Sequence, residues 1–187
     1  NNMGFVLNSL GRSEEALPYI QETLEGNRRT LGNDHPSTLV AINNMGSTLD
    51  FLGRSEQALP YYEESLKVSR RTLGNDHPKT LTFINNMGSL LKSLGRPEEA
   101  LPYYEESLKG IRRILDSDHP NTLSSINNMG SVLKSLGRYE EALPYYEESL
   151  ETRRRILGND HPDTLSSINN MAFVLNPLGR SEEALPY

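Results

Sequence analysis

The sequence predicts an all-α fold, an α-solenoid of antiparallel helix pairs, and two observations lead to that prediction. First, nearly the same string as NNMGSLLKSLGRPEEALPYYEESL at residues 85–108 recurs every 42 residues, and self-similarity at such a period is typical of solenoid proteins. Second, apolar residues within each copy follow spacings of three and four, which is the period of an amphipathic helix. Each copy therefore encodes two helices that bury a small core against neighbouring copies.

The first helix of the third copy is predicted to run from Pro78 to Leu94. Proline is pre-organised for the first helical position, and His77 before it is pushed into the extended conformation that an N-cap adopts. At the other end, Gly95 can take the left-handed conformation that terminates a helix. The predicted core stripe of this helix consists of Leu81, Ile84, Met87, Gly88, Leu91 and Leu94.

The second helix of the same copy follows Arg96, and Pro97 is acceptable at its first position because the amide there has no helical partner. Pro102 lies inside this helix, where it removes one backbone hydrogen bond, so we expect a slight bend. Acidic residues fill the early turns and basic residues the late turns, which suits the helix dipole. The predicted core stripe consists of Ala100, Leu101, Tyr104, Leu108, Ile111 and Leu115.

The small residues Gly88 on the first helix and Ala100 on the second are predicted to let the two backbones approach closely. Turns rich in glycine, asparagine and aspartate join one copy to the next without a linker. The predicted array comprises a truncated first repeat at 1–31, a second repeat at 32–73, a third at 74–115, a fourth at 116–157 and a truncated fifth at 158–187.

The ends of the sequence are expected to be cut from a longer array, because the chain opens without an initiator methionine and partway through a helix. Apolar residues at both ends of the array would then be exposed to solvent. Exposed apolar surfaces of this kind can bind one another and join copies of the chain head to tail. The residues concerned are Val6, Leu7, Leu10, Leu178, Ala184 and Leu185.

The composition excludes several classes of protein. The net charge of −6 argues against a nucleic-acid partner, which would require a basic face. The chain has no cysteine, so disulfides, thiolate metal sites and thiol catalysis are excluded. No apolar run approaches the roughly 18 residues of a membrane span, and no signal peptide is recognisable, so we expect no membrane partner and a cytoplasmic location.

Three features of each copy resemble the tetratricopeptide repeat family. They are the NN-M-G string before LxxLGR, the EEALPYY string, and glycine and alanine twelve positions apart. The 42-residue period and the EALPYYEESL…RRxLGxDHPxT pattern are similar to the long-helix repeats of kinesin light chains, and such repeats also occur in bacterial arrays. The resemblance implies a right-handed superhelix of antiparallel helix pairs. It also implies that the first helices line a concave groove that binds peptides, which are acidic in kinesin light chains.

Side chains that could carry out chemistry have simpler explanations. The histidines lie 42 residues apart, too far for one shared zinc with ligands at about 2 Å, so a capping role is predicted for them. Adjacent glutamates point about 100° apart on a helix, and nothing around them would separate their pKa values for acid–base work. No phosphate-binding loop, nucleophile elbow or zinc-binding helix motif occurs. We therefore expect neither a cofactor nor enzymatic activity. The histidines are His35, His77, His119 and His161.

Candidate ligand contacts lie on the first helices, away from the core stripe, where residues i, i+4 and i+7 share a face. In the architecture that the resemblance implies, these rows line the groove, and asparagine can bond a peptide backbone through both donor and acceptor atoms. The alternative is that the asparagines bond one another and stiffen the stack. The predicted groove residues are Asn43, Ser47, Asp50, Asn85, Ser89, Lys92, Asn127, Ser131, Lys134 and Asn169.

The leading functional hypothesis is a protein-interaction scaffold that holds a peptide segment of a protein partner. Lys92 and Lys134 occupy equivalent positions in the middle of the array, which predicts a preference for acidic peptides. Two alternatives stay open at this point. The chain could be a structural array that stacks end to end, or the sensor or partner-binding part of a larger regulator.

Overall fold

The structure of the chain is a computed structural model, which describes residue 7 and residues 10–184. Within this range the regular secondary structure is helical throughout, so the predicted all-α class is confirmed. The helices are α1 (Ser13–Leu31), α2 (Pro36–Phe51), α3 (Ser55–Thr72), α4 (Pro78–Ser93), α5 (Pro97–Ile114), α6 (Pro120–Ser135), α7 (Tyr139–Leu157), α8 (Pro162–Leu175) and α9 (Ser181–Ala184).

The chain forms two compact units, an N-terminal unit at Asn1–Arg96 and a C-terminal unit at Pro97–Tyr187. In the N-terminal unit α1 packs on α2, α2 on α3 and α3 on α4, and in the C-terminal unit each of α5 to α8 packs on the helix that follows it. We call α2, α4, α6 and α8 the first helices, and α1, α3, α5, α7 and α9 the second helices. The five repeat bounds stay a prediction, because the division into units falls between the two helices of the third repeat.

The first helices begin as the sequence predicts. His77 has φ −69° and ψ 136°, and its Nδ1 accepts a hydrogen bond of 3.1 Å from the amide of Lys79. This bond satisfies one of the amides that a helix start leaves without a partner. The capping role is therefore confirmed at all four positions, namely His35, His77, His119 and His161.

The first helices also end through glycine in the left-handed conformation. Helix α4 ends at Ser93, one residue before the predicted Leu94, and Gly95 has φ 72°. The Gly95 amide donates to the carbonyl of Lys92 at 3.0 Å, and the Arg96 amide donates to the carbonyl of Leu91 at 2.9 Å. This is a Schellman pattern, which uses carbonyls that the helix end would otherwise leave unpaired.

The two helices of a hairpin approach each other closely where a glycine of the first helix faces a tyrosine ring of the second helix. A Cβ built on Gly130 would lie 2.9 Å from the ring of Tyr146, and one on Gly46 would lie 3.4 Å from the ring of Tyr62. Both tyrosines are buried, and burial raises the pKa of each to about 12. The predicted role of glycine in close packing is therefore confirmed at these two positions.

The long second helices continue through the prolines that the sequence places inside them, and the proline rings lie on the exposed side. These residues are Pro18, Pro60, Pro102 and Pro144. The predictions that concern Val6, Leu185 and the side chain of Ala184 lie outside the described residues.

The predicted exposure of the N-terminal apolar residues is correct for Leu10 and wrong for Leu7. Leu10 is 64% exposed, whereas Leu7 is buried. The carbonyl of Leu7 accepts hydrogen bonds from the amides of Leu10 and Arg12, so the following turn folds back beside it. Leu178, near the other end, is half-buried. Among the described helices, none combines the length and the apolar character that crossing a bilayer requires.

Candidate ligand-binding site

The predicted groove residues of the N-terminal unit lie on α2 and α4, which contact each other. Asn43 is only 7% exposed, and its Oδ1 accepts a hydrogen bond of 3.1 Å from Nδ2 of Asn86 on α4. The Asn43 side chain thus joins two consecutive first helices, which is the arrangement of the stiffening alternative. It leaves little of Asn43 available to a ligand.

The other predicted residues of this unit are more accessible. Ser47 is exposed, while Asn85, Ser89 and Lys92 on α4 are half-buried. Asp50 is half-buried and accepts a hydrogen bond of 2.6 Å from the hydroxyl of Ser55, which links the end of α2 to the start of α3.

The C-terminal unit repeats the asparagine contact on α6 and α8. Oδ1 of Asn127 accepts a hydrogen bond of 2.9 Å from Nδ2 of Asn170. Asn127 and Ser131 are half-buried, and Asn169 is exposed. The recurrence of the same bond in both units indicates that it belongs to the packing of consecutive first helices.

An aromatic side chain that the sequence reasoning missed lies on the same face of the C-terminal unit. Phe173 is 65% exposed, and Nζ of Lys134 lies 5.2 Å from the centroid of its ring, a cation–π distance. Phe173 occupies the position that serine holds in the second, third and fourth repeats, at Ser47, Ser89 and Ser131, and the first repeat also has a phenylalanine there, Phe5. The signal that could have identified it is the phenylalanine that the first and fifth repeats share where the three central repeats have serine.

The second-helix side of each unit contains a cleft that the sequence did not predict. In the N-terminal unit, a cavity of about 510 Å³ opens between α1 and α3, with α2 forming its floor. In the C-terminal unit, a cavity of about 410 Å³ opens between α5 and α7 over α6, and an adjoining one of about 310 Å³ shares part of its lining. The apolar side chains that line the clefts are Leu17, Leu24, Met45, Leu49, Pro60 and Tyr61 in one unit and Leu108, Met129, Leu133, Pro144 and Tyr145 in the other.

Ion pairs connect consecutive second helices beside these clefts. Arg28 on α1 pairs with Glu64 on α3 at 2.6 Å, and Arg112 on α5 pairs with Glu148 on α7 at 2.5 Å. Both pairs are partly exposed, so each contributes no more than about 1 kcal/mol. The ion pairs therefore add little to the stability of the fold, and their main effect is on the alignment of neighbouring second helices.

A half-buried guanidinium joins the last long second helix to α8. Arg153 donates to the hydroxyl of Ser167 at 2.6 Å and to the carbonyl of Asp163 at 3.3 Å. Burial lowers the pKa of Arg153, and the nearby Asp163 carboxylate opposes that shift. The contact is a structural bridge between α7 and α8, and within residues 10–184 no three metal-ligating side chains of His, Asp or Glu converge.

Comparison with known proteins gives one family. The model of the tetratricopeptide repeat family matches residues 1–71, 51–110, 80–152 and 122–187, which together span the chain. No curated protein matches the sequence.

Several solved structures share the fold. A Podosopora anserina protein described as a kinesin light chain with nearly identical TPR-like repeats aligns with a TM-score of 0.86 at 22% identity, over 99% of this chain and 88% of that chain. BtubC (BKLC) from P. vanneervenii aligns with a TM-score of 0.85 at 24% identity, over 98% and 73%. A Rap protein solved in complex with competence and sporulation factor aligns with a TM-score of 0.78 at 12% identity, over 98% and 49%.

Proposed function

The chain belongs to the tetratricopeptide repeat family, and we propose that it is a non-catalytic interaction scaffold whose first helices bind an acidic peptide segment of a protein partner. Proteins of this family generally act as interaction scaffolds. The structurally similar Rap protein, solved with competence and sporulation factor, supports a role in ligand binding. We propose a cytoplasmic location for this activity.

The observation that carries the proposal is the pairing of Lys134 with Phe173 on the first-helix face of the C-terminal unit. The ammonium group can form a charge-assisted hydrogen bond with a carboxylate, and the exposed ring can pack against the apolar part of the same peptide. A basic peptide would instead be repelled by Lys134.

We propose that some of the groove residues support the helices and that others contact the peptide. Asn43 and Asn127 hold consecutive first helices together through their Oδ1 atoms, so they support the face more than they touch a ligand. The contacts to peptide come from the more accessible residues, which are Ser47, Asp50, Asn85, Ser89, Lys92, Ser131, Lys134 and Asn169, together with Phe173.

The test is a titration of an acidic peptide against the parent chain and a Lys92→Glu/Lys134→Glu variant, with a basic peptide of the same length as the specificity control. Each lysine is expected to contribute on the order of 1 kcal/mol, and the difference should shrink as salt is added because partly exposed charges are screened. The matched control is Lys67→Glu/Lys109→Glu, which changes net charge by the same amount on the second helices.

Two outcomes would contradict the proposal. Equal affinity of the parent and the Lys92→Glu/Lys134→Glu variant for the acidic peptide would remove the lysines from the site. Equal loss in the control variant would show that only net charge matters, and that no particular face binds the peptide.

A second candidate function is head-to-tail self-association, and Leu165 favours it. Leu165 on α8 is 48% exposed, whereas its equivalents one, two and three repeats earlier are buried. An exposed residue at a core position can be covered by a second copy of the chain, and such a contact can propagate. Sedimentation at increasing concentration should detect the association, and Leu165→Gln should abolish it while Phe51→Ser should not. The buried equivalents are Leu39, Leu81 and Leu123.

A further inference from the structure

We infer that Tyr146 is a positioning residue for the first-helix face. Its hydroxyl donates a hydrogen bond to Oγ of Ser131, and Ser131 in turn donates its own proton to a carboxylate of the bound peptide. The inference rests on the proposed function, because it concerns how the same face receives an acidic ligand. It starts from a buried hydroxyl that no hydrogen bond among the described residues accounts for.

Tyr146 on α7 has a polar group inside the fold. The residue is fully buried, and its Oη has no hydrogen-bond partner among the described residues. A buried hydroxyl without a partner loses its bonds to water and gains none in return, and phenylalanine at the same place would avoid that cost. The hydroxyl therefore does not contribute to folding, which leaves a role in binding.

Ser131 on α6 is the polar side chain that the Tyr146 hydroxyl meets. The Tyr146 ring packs against the preceding residue, since a Cβ built on Gly130 would lie 2.9 Å from Cε1 and Cζ. Burial raises the pKa of Tyr146 to about 12, and the adjacent Ser131 hydroxyl opposes that rise. In this structure the two hydroxyls are outside hydrogen-bond geometry. We expect ligand binding to complete the bond, because rotation about χ1 of Ser131 reorients its hydroxyl.

The order of the two donations follows from acidity. With a pKa of about 12, Tyr146 keeps its proton at neutral pH, and a phenol is a stronger donor than an aliphatic hydroxyl. Once Oγ of Ser131 accepts from Tyr146, the serine proton is directed away from the tyrosine and toward the ligand. Lys134 follows Ser131 by three residues, so the two side chains are neighbours on α6. One carboxylate can therefore accept from both Oγ of Ser131 and Nζ of Lys134.

Serine and tyrosine change together among the repeats of this chain. In the second, third and fourth repeats, a first-helix serine is followed fifteen residues later by a second-helix tyrosine. In the first repeat both are different, with Phe5 at the serine position and Ile20 at the tyrosine position. The joint change supports a role for the two hydroxyls as a pair. The pairs are Ser47 with Tyr62, Ser89 with Tyr104 and Ser131 with Tyr146.

The N-terminal unit contains the same pair beside a competing charge. Burial raises the pKa of Tyr62 to about 12, Ser47 opposes the rise, and the Asp50 carboxylate adds to it. Asp50 occupies the position that Lys134 holds in the C-terminal unit. A ligand carboxylate near Ser47 would be repelled by Asp50, so we expect it to bind at Ser131 instead.

The experiment titrates the full chain with an end-blocked peptide of alternating glutamate and leucine and measures the dissociation constant by calorimetry. Tyr146→Phe and Ser131→Ala should each weaken binding roughly fivefold, the effect of losing one hydrogen bond. The double variant should bind no worse than Ser131→Ala, because both changes remove the same donation. Ser131→Thr keeps the hydroxyl and should bind as the parent does.

The matched control is Tyr145→Phe, which removes a hydroxyl from the neighbouring residue on the second-helix cleft. It should bind the peptide with the affinity of the parent, and so should Tyr62→Phe, whose pair lies beside Asp50. Equal losses in Tyr145→Phe and Tyr146→Phe, or additive losses in the Tyr146→Phe/Ser131→Ala variant, would overturn the inference.

Thermal melting separates a role in binding from a role in folding. Because the Tyr146 hydroxyl has no partner within the fold, Tyr146→Phe should leave the melting temperature unchanged or raise it slightly. A lower melting temperature with unchanged affinity would make the hydroxyl a structural group and overturn the inference alone. If the parent chain does not bind the peptide, the proposed function fails, and the inference that rests on it fails as well.

Discussion

A neutral histidine, and not the commoner serine, threonine or aspartate, accepts the capping hydrogen bond at the start of each first helix. The imidazole Nδ1 can accept from an amide only while it carries no proton, so the capped form is the neutral side chain. His77 is typical of the four, with a bond of 3.1 Å to the amide of Lys79. The sequence predicted this role because Pro78 fixes both its own φ and the extended conformation of the residue before it.

The first prediction concerns this cap. His77→Ala removes the acceptor, and the free energy of unfolding should fall by about 1 kcal/mol, the usual value for a lost N-cap. His77→Asn supplies a different acceptor at the same place and should stay close to the parent. Urea denaturation followed by circular dichroism measures both changes. If the asparagine variant were as unstable as the alanine variant, the imidazole would have a role other than capping.

The second prediction uses two equivalent glycines with different surroundings. Alanine is favoured over glycine in a helix by about 1 kcal/mol, so Gly46→Ala, whose methyl would lie 3.4 Å from Tyr62, should stabilise the chain. Gly130→Ala would place the methyl 2.9 Å from the Tyr146 ring, and overpacking of this kind typically costs 1 to 3 kcal/mol. Thermal melting should therefore separate the two variants in opposite directions. Equal shifts would show that the rings adjust freely.

At the scale of helices, one substitution changes how neighbouring second helices are joined. In three of the described hairpins, namely those of the first, fourth and fifth repeats, the arginine before the second helix bonds a glutamate three residues later, as Arg138 bonds Glu141. In the second repeat Gln57 occupies the glutamate position, and Arg54 instead reaches Glu14 on the preceding second helix at 2.7 Å. A single residue thus decides whether the ion pair lies within a hairpin or between two.

The third prediction concerns the proline inside α5. Pro102 lies beyond the first turn, so it removes the bond that its amide would make to the carbonyl of Glu98, and such a proline costs about 3 kcal/mol relative to alanine in a regular helix. Because proline also restricts the unfolded chain, we expect Pro102→Ala to raise the free energy of unfolding by about 1 to 3 kcal/mol. Pro97→Ala, at the first position where no bond is missing, should change it by less than about 0.5 kcal/mol. Destabilisation by Pro102→Ala would indicate that the array requires proline at this position.

The sequence could predict the helices because the residues that start and end each helix are adjacent to it in the sequence. Histidine before proline marks each first-helix start, and glycine in the left-handed conformation marks its end, so α4 differs from the prediction by one residue. The pattern could not predict the clefts. Met129 and Leu133 occupy core positions in any helical pattern, and whether neighbouring second helices close over them depends on packing between repeats.

The asparagine rows show the same limit for the candidate site. An i, i+4, i+7 pattern places Asn43 on a face, but it does not determine whether that face meets a ligand or the next first helix. The bond from Asn86 to Asn43 depends on contact between residues 43 positions apart. Phe173 was missed for a different reason, since the predicted rows were drawn from the three central repeats, which have serine at this position.

At the scale of the molecule, the contacts between repeats are themselves repeated. Within each unit, consecutive second helices share an arginine–glutamate pair, and consecutive first helices share an asparagine–asparagine bond. Apart from α2 with α4, the main helix contacts join helices adjacent in the sequence. The free energy of unfolding of such a protein is approximately the sum of the intrinsic stability of each repeat and the interaction free energy of each interface between adjacent repeats.

The last prediction follows from that sum. Insertion of a further copy of residues 116–157 after Leu157 adds one hairpin and one interface, so the urea midpoint should rise, and a second copy should raise it again by a smaller step. A glycine–serine insert of 42 residues at the same place adds length without an interface, and it should lower the midpoint slightly because a longer loop is harder to close. Circular dichroism at matched protein concentration measures all three chains. An unchanged midpoint in the chains with added repeats would mean that each hairpin folds independently, and the nearest-neighbour account of this array would then be wrong.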